Sequence, residues 1–157
     1  MKMKNKRKKV VPHGLKRKDS KKEWGSILEG VPKDSPSLSQ AYQLTQRASR
    51  VGFDWPNIEG VLNKLDEEMG EFREALSLQN RRRIREEIGD LLFVMANVSR
   101  FLQIHPEEAL KKTLEKFVSR FHYIETSLRK EGKTLQQSNL IEMDRLWEES
   151  KKKKGSK

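Results

Sequence analysis

Apolar residues recur at steps of three and four in the first half of the chain, which is the spacing of amphipathic helices. The segment LSQAYQLTQRASRV predicts a first helix at about 37–51, before Gly52. A second helix is predicted at about 57–78, with Ile58, Val61, Leu62, Leu65, Met69, Phe72 and Leu76 on one face. After a break at 77–80, a third helix is predicted to about residue 103, with Ile84, Ile88, Leu91, Met95, Val98 and Leu102. So short a break predicts that the second and third helices pack antiparallel.

Two more helices follow from the same pattern. Pro106 suits the first turn of a fourth helix that ends near Gly132, with Ala109, Leu110, Leu114, Phe117, Phe121 and Ile124 facing inward. A fifth helix is predicted at about 134–151, beginning at the cap Thr134 and carrying Leu140, Met143, Leu146 and Trp147. There is no strand alternation and no internal repeat, so we predict an all-α bundle of about five helices.

The rest of the chain divides into tails, a lead-in and a connector. Residues 26–36, with two prolines and Gly30, predict an extended lead-in to the first helix. In the connector 53–56, Phe53 and Trp55 are expected to close a core edge more readily than to bind a ligand. We therefore predict a basic, disordered tail at 1–25, one domain at 26–150 and a basic tail at 151–157.

Composition restricts the chemistry. The 157 residues contain no cysteine, which excludes disulfide scaffolds, thiolate zinc sites and cysteine nucleophiles. The histidines, His13, His105 and His122, show no paired spacing, so we expect neither a histidine zinc site nor a histidine catalyst. Any metal would have oxygen ligands, which favours Mg²⁺, with Mn²⁺ as the alternative.

The net charge of +11 is concentrated in the tails. Residues 1–25 hold eleven Lys and Arg against Asp19 and Glu23, residues 151–157 add five lysines, and the segment between them is mildly acidic. One hypothesis is therefore a non-catalytic helical module whose basic tails bind nucleic acid or an acidic partner. Since no segment predicts a membrane span or a signal peptide, we expect a soluble, cytoplasmic protein.

Polar side chains form a stripe beside the apolar face of two predicted helices. At about 100° per residue, Lys64, Glu68 and Glu71 fall within about 60° of one another on the second helix. On the third helix Arg83, Glu87, Asp90 and Asn97 fall within about 80°. If the helices pack antiparallel, the carboxylates converge on a cation; alternatively they are exposed charges that nearby Lys and Arg residues balance. Spacing alone leaves both interpretations open.

The sequence around these carboxylates resembles a known family. KLDEEMGE at 64–71, followed by REEIGD at 85–90, resembles the EExxE and ExxD motif pair of the MazG family. The likeness continues in collinear order through RASRVGFDWPNIEGVLNKLDEEMGE, EEIGDLLFVMANVSRFL, EKFVSRFHYIE and MDRLWEESK. It spans roughly residues 26–151 and is strongest to the C-terminal domain of MazG-type nucleoside-triphosphate pyrophosphohydrolases.

The resemblance implies a function and a set of site residues. It implies an all-α, dimeric enzyme that uses Mg²⁺ to split nucleoside triphosphates into the monophosphate and pyrophosphate, as in control of the nucleotide pool. Metal ligands carried over from the motifs are Glu68, Glu71, Glu87 and Asp90. Residues carried over as surrounding the nucleotide are Lys64, Glu67, Arg83, Glu86, Lys116, Arg120 and Trp147. Glu67 and Glu71 are the candidate catalytic bases. Lys64, Arg83, Lys116 and Arg120 would bind the phosphates.

The chain also departs from the family pattern. Many MazG proteins carry two copies of the domain, whereas this chain shows only the second. Its fourth helix reads KKTLEKF, without the asparagine expected shortly before Lys116. Trp147 is equally suited to stack on a base or to seal its helix onto the bundle. A further hypothesis is a metal-binding dimer that has lost hydrolysis.

Overall fold

A computed structural model of the protein describes residues 25–153, so 1–24 of the predicted N-terminal tail and 154–157 of the predicted C-terminal tail lie outside the described residues. The described part is helical and contains no strand, which confirms the all-α prediction. Its elements are α1 (Ser37–Ser49), α2 (Ile58–Ser77), α3 (Arg81–Phe101), α4 (Pro106–Lys130), a 3₁₀ helix (Leu135–Gln137) and α5 (Leu140–Lys153).

The helices α2 and α3 form an antiparallel hairpin. Each begins at an asparagine whose side chain accepts a backbone hydrogen bond: Asn57 from Gly60 N at 3.1 Å and Asn80 from Arg83 N at 3.2 Å. Val61, near the start of α2, packs against Val94 near the end of α3. Because opposite ends of the two helices meet, polar side chains that flank this core are brought face to face.

The helices α4 and α5 bury a second, separate core. Ile124 and Leu128 of α4 pack against Leu146 of α5, with Phe121 and Trp147 at the edge of the cluster. Besides α5, α4 makes smaller contacts with α1 and α3. The described chain therefore consists of an α1–α3 unit and an α4/α5 unit, each with its own apolar cluster.

The predicted start of the fifth helix is wrong. Thr134 does cap a helix through a capping box with Gln137, but this helix is a single 3₁₀ turn that ends at an extended Ser138. The side chain of Asn139 then accepts a hydrogen bond from Glu142 N at 2.9 Å, and α5 begins at Leu140. The segment that the apolar periodicity predicted as one helix therefore forms two, because Thr134 and Asn139 each cap a separate helix.

The inward face predicted for the first half of α4 is also wrong. Leu110, Leu114, Phe117 and Val118 are exposed, although Pro106 in the first turn of α4 is buried. Exposed apolar side chains also follow α2 and α3, at Leu62, Met69, Leu76, Ile88, Leu92 and Met95. None of the described helices is long and apolar enough to cross a membrane.

An ion pair fastens the connector between α1 and α2 to α3. The Arg100 guanidinium donates to both carboxylate oxygens of Asp54, at 2.6 and 3.0 Å. The neighbouring Trp55 ring lies so close to Gly60 that an added Cβ there would be 2.6 Å from the ring. The connector is thus held against both α3 and the first turn of α2.

Candidate active site

Three of the four predicted metal-ligating residues meet between α2 and α3. One carboxylate oxygen from each of Glu68, Glu71 and Glu87 lies within 4.8 Å of the other two. Glu68 and Glu87 are buried, at 5% and 7% exposure, while Glu71 is exposed. The antiparallel hairpin produces this arrangement because Glu68 and Glu71 lie one turn apart on α2 and Glu87 faces them from α3.

The buried Glu68 carboxylate is only half satisfied. Its Oε1 accepts from Lys64 Nζ at 2.7 Å, whereas its buried Oε2 has no hydrogen-bond partner among the described residues. An unsatisfied buried acceptor costs free energy, and such groups in folded proteins call for an explanation such as an ion or a water. Glu68 also lies beside two further carboxylates, and a set of carboxylate oxygens suits a hard divalent cation.

Burial and like charge act together on Glu87. Its pKa is raised, first because burial disfavours the charged form and next because the Glu71 carboxylate repels it. The Arg83 guanidinium, 3.9 Å away, partly offsets this rise, while Glu68 and Asp90 add to it. Burial and the neighbouring carboxylates thus both disfavour the charged form of Glu87, which a bound cation would favour.

Asp90, the fourth predicted ligand, lies on α3 one turn beyond Glu87. It is exposed and does not belong to the group of three carboxylates within 4.8 Å. Its charge nevertheless raises the pKa of Glu87, so it contributes to the same acidic site. Its assignment as a ligand stays a prediction.

The basic residues predicted on α2 and α3 border the carboxylates. Lys64 donates to Glu67 at 2.8 Å and contacts Glu68, and these hydrogen bonds raise its pKa. Arg83 donates to Glu74 at 2.9 Å, which is the main cause of its raised pKa. Both cations are therefore held in their charged form.

The remaining predicted nucleotide residues lie elsewhere. Glu86 is exposed and pairs with Arg82 at 3.0 Å. Lys116 is exposed on α4, and the Arg120 guanidinium lies 5.4 Å from the centre of the Trp147 ring. Within residues 25–153, no hydrogen bond or ion pair joins Lys116, Arg120 or Trp147 to the carboxylates. A single chain thus does not bring the two halves of the predicted site together.

Sequence reasoning missed two contacts that shape this region. Glu74, the partner of Arg83, continues the Glu68 and Glu71 stripe by one more turn, so extending that stripe could have found it. The pairing of Asp54 with Arg100 joins residues 46 positions apart, for which the local sequence gives no signal. Such a contact depends on where the connector crosses α3.

Comparison with known proteins identifies similar sequences. Residues 57–124, which include the whole α2/α3 hairpin, match the model of the MazG nucleotide pyrophosphohydrolase domain. The chain is 39% identical, over 137 residues, to the nucleoside triphosphate pyrophosphohydrolase/pyrophosphatase MazG of Thermotoga maritima, covering 87% of this chain and 52% of that protein. It is 35% identical, over 131 residues, to the nucleoside triphosphate pyrophosphohydrolase of Escherichia coli K12, covering 81% of this chain and 49% of that protein.

A third relative has no assigned activity in its name. The chain is 41% identical, over 138 residues, to the uncharacterized protein YabN of Bacillus subtilis, covering 87% of this chain and 28% of that protein. The chain spans about half the length of the first two relatives and less of the third. The matched segments include the α2 and α3 carboxylates, so the similarity and the geometry point to the same region.

Proposed function

The chain belongs to the MazG family through the domain at residues 57–124, and from this premise we propose that it hydrolyses nucleoside triphosphates. The products are the nucleoside monophosphate and pyrophosphate, and the reaction requires Mg²⁺, which Mn²⁺ can replace. We further propose that the protein acts in the cytoplasm on the nucleotide pool. Two relatives named as nucleoside triphosphate pyrophosphohydrolases, 39% and 35% identical, support the reaction class.

The observation that carries the proposal is the convergence of Glu68, Glu71 and Glu87, together with a buried oxygen of Glu68 that has no hydrogen-bond partner among the described residues. These three residues, with Asp90, would hold the cation. The bound cation would supply positive charge that docks the triphosphate and stabilises charge developing during displacement. Without it, the acidic site would repel a substrate that carries about four negative charges.

The chain's own residues perform the remaining steps. Lys64 and Arg83 border the carboxylates in charged form and would bind phosphate oxygens. Glu71, exposed at the site, or Glu67 would orient a water and accept its proton. The water oxygen bonds to phosphorus as the bond between the α- and β-phosphates breaks, so that pyrophosphate leaves. Glu86 would contribute at the periphery of the nucleotide.

We also propose that the protein is a homodimer. Exposed apolar side chains follow both α2 and α3, and Leu110, Leu114, Phe117 and Val118 of α4 are exposed as well. Large exposed apolar surfaces mark association sites in soluble proteins. A second copy would also supply Lys116, Arg120 and Trp147 to the carboxylates, which these residues do not contact within one chain. The oligomeric state can be measured by sedimentation.

The reaction can be tested directly. Purified protein would be incubated with each common NTP and dNTP plus Mg²⁺ or Mn²⁺, and the products would be resolved by chromatography. We expect monophosphate and pyrophosphate in equal amounts. Diphosphate with inorganic phosphate, or no turnover with any substrate and either metal, would contradict the proposal.

A further inference from the structure

The ion pair between Arg83 and Glu74 lies at the edge of the carboxylate cluster. Arg83 is in the first turn of α3, where its backbone N–H donates to the side chain of the capping Asn80 at 3.2 Å. Its guanidinium donates from Nη2 to Glu74 Oε2 on α2 at 2.9 Å. Glu74 follows Glu71 by three residues, which places both on the same side of α2. The end of the hairpin nearest its loop therefore holds a cation beside the proposed metal ligands.

Three carboxylates raise the pKa of Arg83, and their effects are unequal. The hydrogen bond to Glu74 is the largest cause, and the charges of Glu74, Glu87 and Glu71 add to it, while burial opposes them. Glu87 Oε1 lies 3.9 Å from Arg83 Nε, which is beyond hydrogen-bond distance. Of the three carboxylates, only Glu74 is not a predicted metal ligand. The arginine is thus hydrogen-bonded to the carboxylate that lies outside the proposed cation site.

A neighbouring ion pair on α3 shows that a different arrangement is available to Arg83. Arg82 and Glu86 are four residues apart, and Arg82 Nε donates to Glu86 Oε1 at 3.0 Å. Arg83 and Glu87 have the same separation, but the equivalent distance between them is 3.9 Å. Helical spacing therefore permits a hydrogen bond between Arg83 and Glu87. The contact that Arg83 makes with Glu74 on α2 takes its place.

This choice of partner affects how easily a cation can bind Glu87. A hydrogen bond from Arg83 to Glu87 would be charge-assisted and largely shielded from water, because the Glu87 side chain is 9% exposed. A divalent cation would have to compete with that contact for the carboxylate. The Glu74 side chain is 60% exposed, and an exposed ion pair is weak. A phosphate oxygen can therefore replace Glu74 as the partner of Arg83 at little cost.

A simpler role for the contact would be to fasten α2 to α3. An exposed ion pair contributes little to stability, and the hairpin already has an apolar core and two asparagine caps. A fastening role predicts that loss of Glu74 lowers the stability and leaves the affinity for metal unchanged. A role in the site predicts a change in metal affinity with little change in stability. The two roles can thus be separated by experiment.

We propose that Glu74 is a positioning residue for the reaction: it holds Arg83 away from Glu87, which leaves that carboxylate to the cation and keeps the guanidinium at the edge of the site. The assignment rests on the proposed function, since it assumes a cation on the carboxylates and a substrate with phosphate groups. Arg83 changes partner from Glu74 to a phosphate oxygen when the substrate binds. Glu74 itself contacts neither the cation nor the reacting atoms.

A double-mutant cycle on Glu74 and Arg83 tests the proposal. Calorimetry would measure the affinity for Mg²⁺ in the absence of nucleotide. Glu74→Ala frees Arg83 to pair with Glu87, so we expect the Mg²⁺ affinity to fall by on the order of fivefold. In the Arg83→Gln background no guanidinium is present, and Glu74→Ala should change the affinity by less than about twofold. Equal losses in both backgrounds would show that Glu74 acts only through its own charge and would overturn the proposal.

Glu59→Ala is the matched control for Glu74→Ala. It makes the same substitution at an exposed position of α2, about 18 Å along the helix axis from Glu71 and beyond the screening length of about 8 Å. Its Mg²⁺ affinity should stay within about twofold of wild type. Circular dichroism and thermal unfolding check that each variant is folded. A loss of stability in Glu74→Ala with unchanged Mg²⁺ affinity would assign the contact to fastening the hairpin and overturn the proposal.

Two further readouts separate positioning from catalysis. At saturating Mg²⁺, kcat of Glu74→Ala should stay within about twofold of wild type, because the residue does not contact the reacting atoms. A large fall in kcat under this condition would contradict a positioning role. A crystal structure of metal-free Glu74→Ala should place Arg83 within hydrogen-bond distance of Glu87. A guanidinium that stays beyond about 3.5 Å from Glu87 would overturn the proposal.

Failure of this assignment can be distinguished from failure of the proposed function. A wild-type protein that binds Mg²⁺ but hydrolyses no nucleotide would contradict the proposed function, and the cycle would still decide the role of Glu74. A wild-type protein that hydrolyses nucleotides, while Glu74→Ala keeps the wild-type Mg²⁺ affinity, would overturn the role of Glu74 alone. A wild-type protein that binds neither Mg²⁺ nor Mn²⁺ would overturn both.

Discussion

Two buried or half-buried glutamates, one in each unit of the molecule, have opposite surroundings. In the α4/α5 unit, Glu142 accepts hydrogen bonds from Lys133 at 2.7 Å and Ser138 at 2.7 Å, and these contacts lower its pKa. In the α2/α3 hairpin, burial and the neighbouring Glu71 carboxylate raise the pKa of Glu87. The surroundings of the first carboxylate favour its charged form, whereas the surroundings of the second disfavour it.

This difference between the surroundings of Glu142 and Glu87 indicates which acidic cluster requires a ligand. Carboxylates are common on helices, and most of those described here are exposed or pair with a nearby Lys or Arg. The hairpin cluster differs because it combines burial, mutual repulsion and the unsatisfied Glu68 oxygen. A divalent cation would remove all three costs together. The predictions below test this contrast, beginning with the largest expected effect.

The largest effect is expected on turnover. Glu71→Ala and Asp90→Ala should each lower kcat by on the order of 100-fold or more, because each removes negative charge from the proposed cation site. Both side chains are exposed, so helical content should remain close to wild type. Steady-state assays of pyrophosphate release would measure the loss. Glu142→Gln, the matched carboxylate in the other unit, should retain turnover, and wild-type rates in both site variants would place the site elsewhere.

Metal binding should have a smaller but readily measured effect on thermal stability. At about 100 times its Kd, a ligand stabilises the folded state by about 2.7 kcal/mol, which corresponds to roughly 5–10 °C in Tm for a chain of this size. Wild-type protein should show this rise with Mg²⁺ in differential scanning fluorimetry. Glu87→Gln should lose the rise and should have the higher Tm without metal, because the substitution removes a repelled charge. An equal Mg²⁺ response in Glu87→Gln would exclude Glu87 as a ligand.

Removal of Arg83 should change the apparent affinities for Mg²⁺ and for the nucleotide by a few-fold. The Arg83 guanidinium counteracts the rise in the pKa of Glu87, so Arg83→Gln should leave the cluster more negative. We expect the Mg²⁺ concentration for half-maximal activity to fall and KM for the nucleotide to rise, each by about two- to fivefold. Titrations of metal and substrate would separate the two effects. Arg81→Gln, at the exposed start of α3, serves as the control and should change neither value.

The smallest effect is expected on the pH dependence of stability. Because its contacts lower the pKa of Glu142 below the ordinary value of 4.5, the folded state binds its proton less tightly than the unfolded state does. The Glu142 contribution is therefore fully present above pH 4.5 and is lost as pH falls through the lowered pKa. Denaturant titrations should show that Glu142→Gln is less stable than wild type at pH 7 and that the difference shrinks in acid. A constant difference would show that the ion pair does not cause it.

Most of the predicted helix bounds agree with the structure, whereas the predicted inward faces agree only in part. The bounds predicted for α2, about 57–78, differ by one residue at each end from Ile58–Ser77, because Asn57 supplies a local capping signal. The first half of α4 has the same periodicity, yet Leu114 and Phe117 are exposed. An apolar stripe indicates that a face is to be covered; it does not indicate whether the same chain covers it.

For the candidate site, the sequence determined the residue types and their spacing. The apolar pattern fixed an all-α fold, and the motifs at 64–71 and 85–90 singled out the carboxylates and their basic neighbours. Both follow from local properties, since helix periodicity and i, i+3 spacing depend only on nearby residues.

Only the tertiary structure decided which of these groups meet. It brought Glu68, Glu71 and Glu87 together, and within the described residues it formed no hydrogen bond or ion pair between them and Arg120 or Trp147. It also joined Arg100 to Asp54 and thereby oriented the buried Asn97 amide. Burial, charge repulsion and unsatisfied hydrogen bonds arise when distant helices pack, so they have no signature in the local sequence.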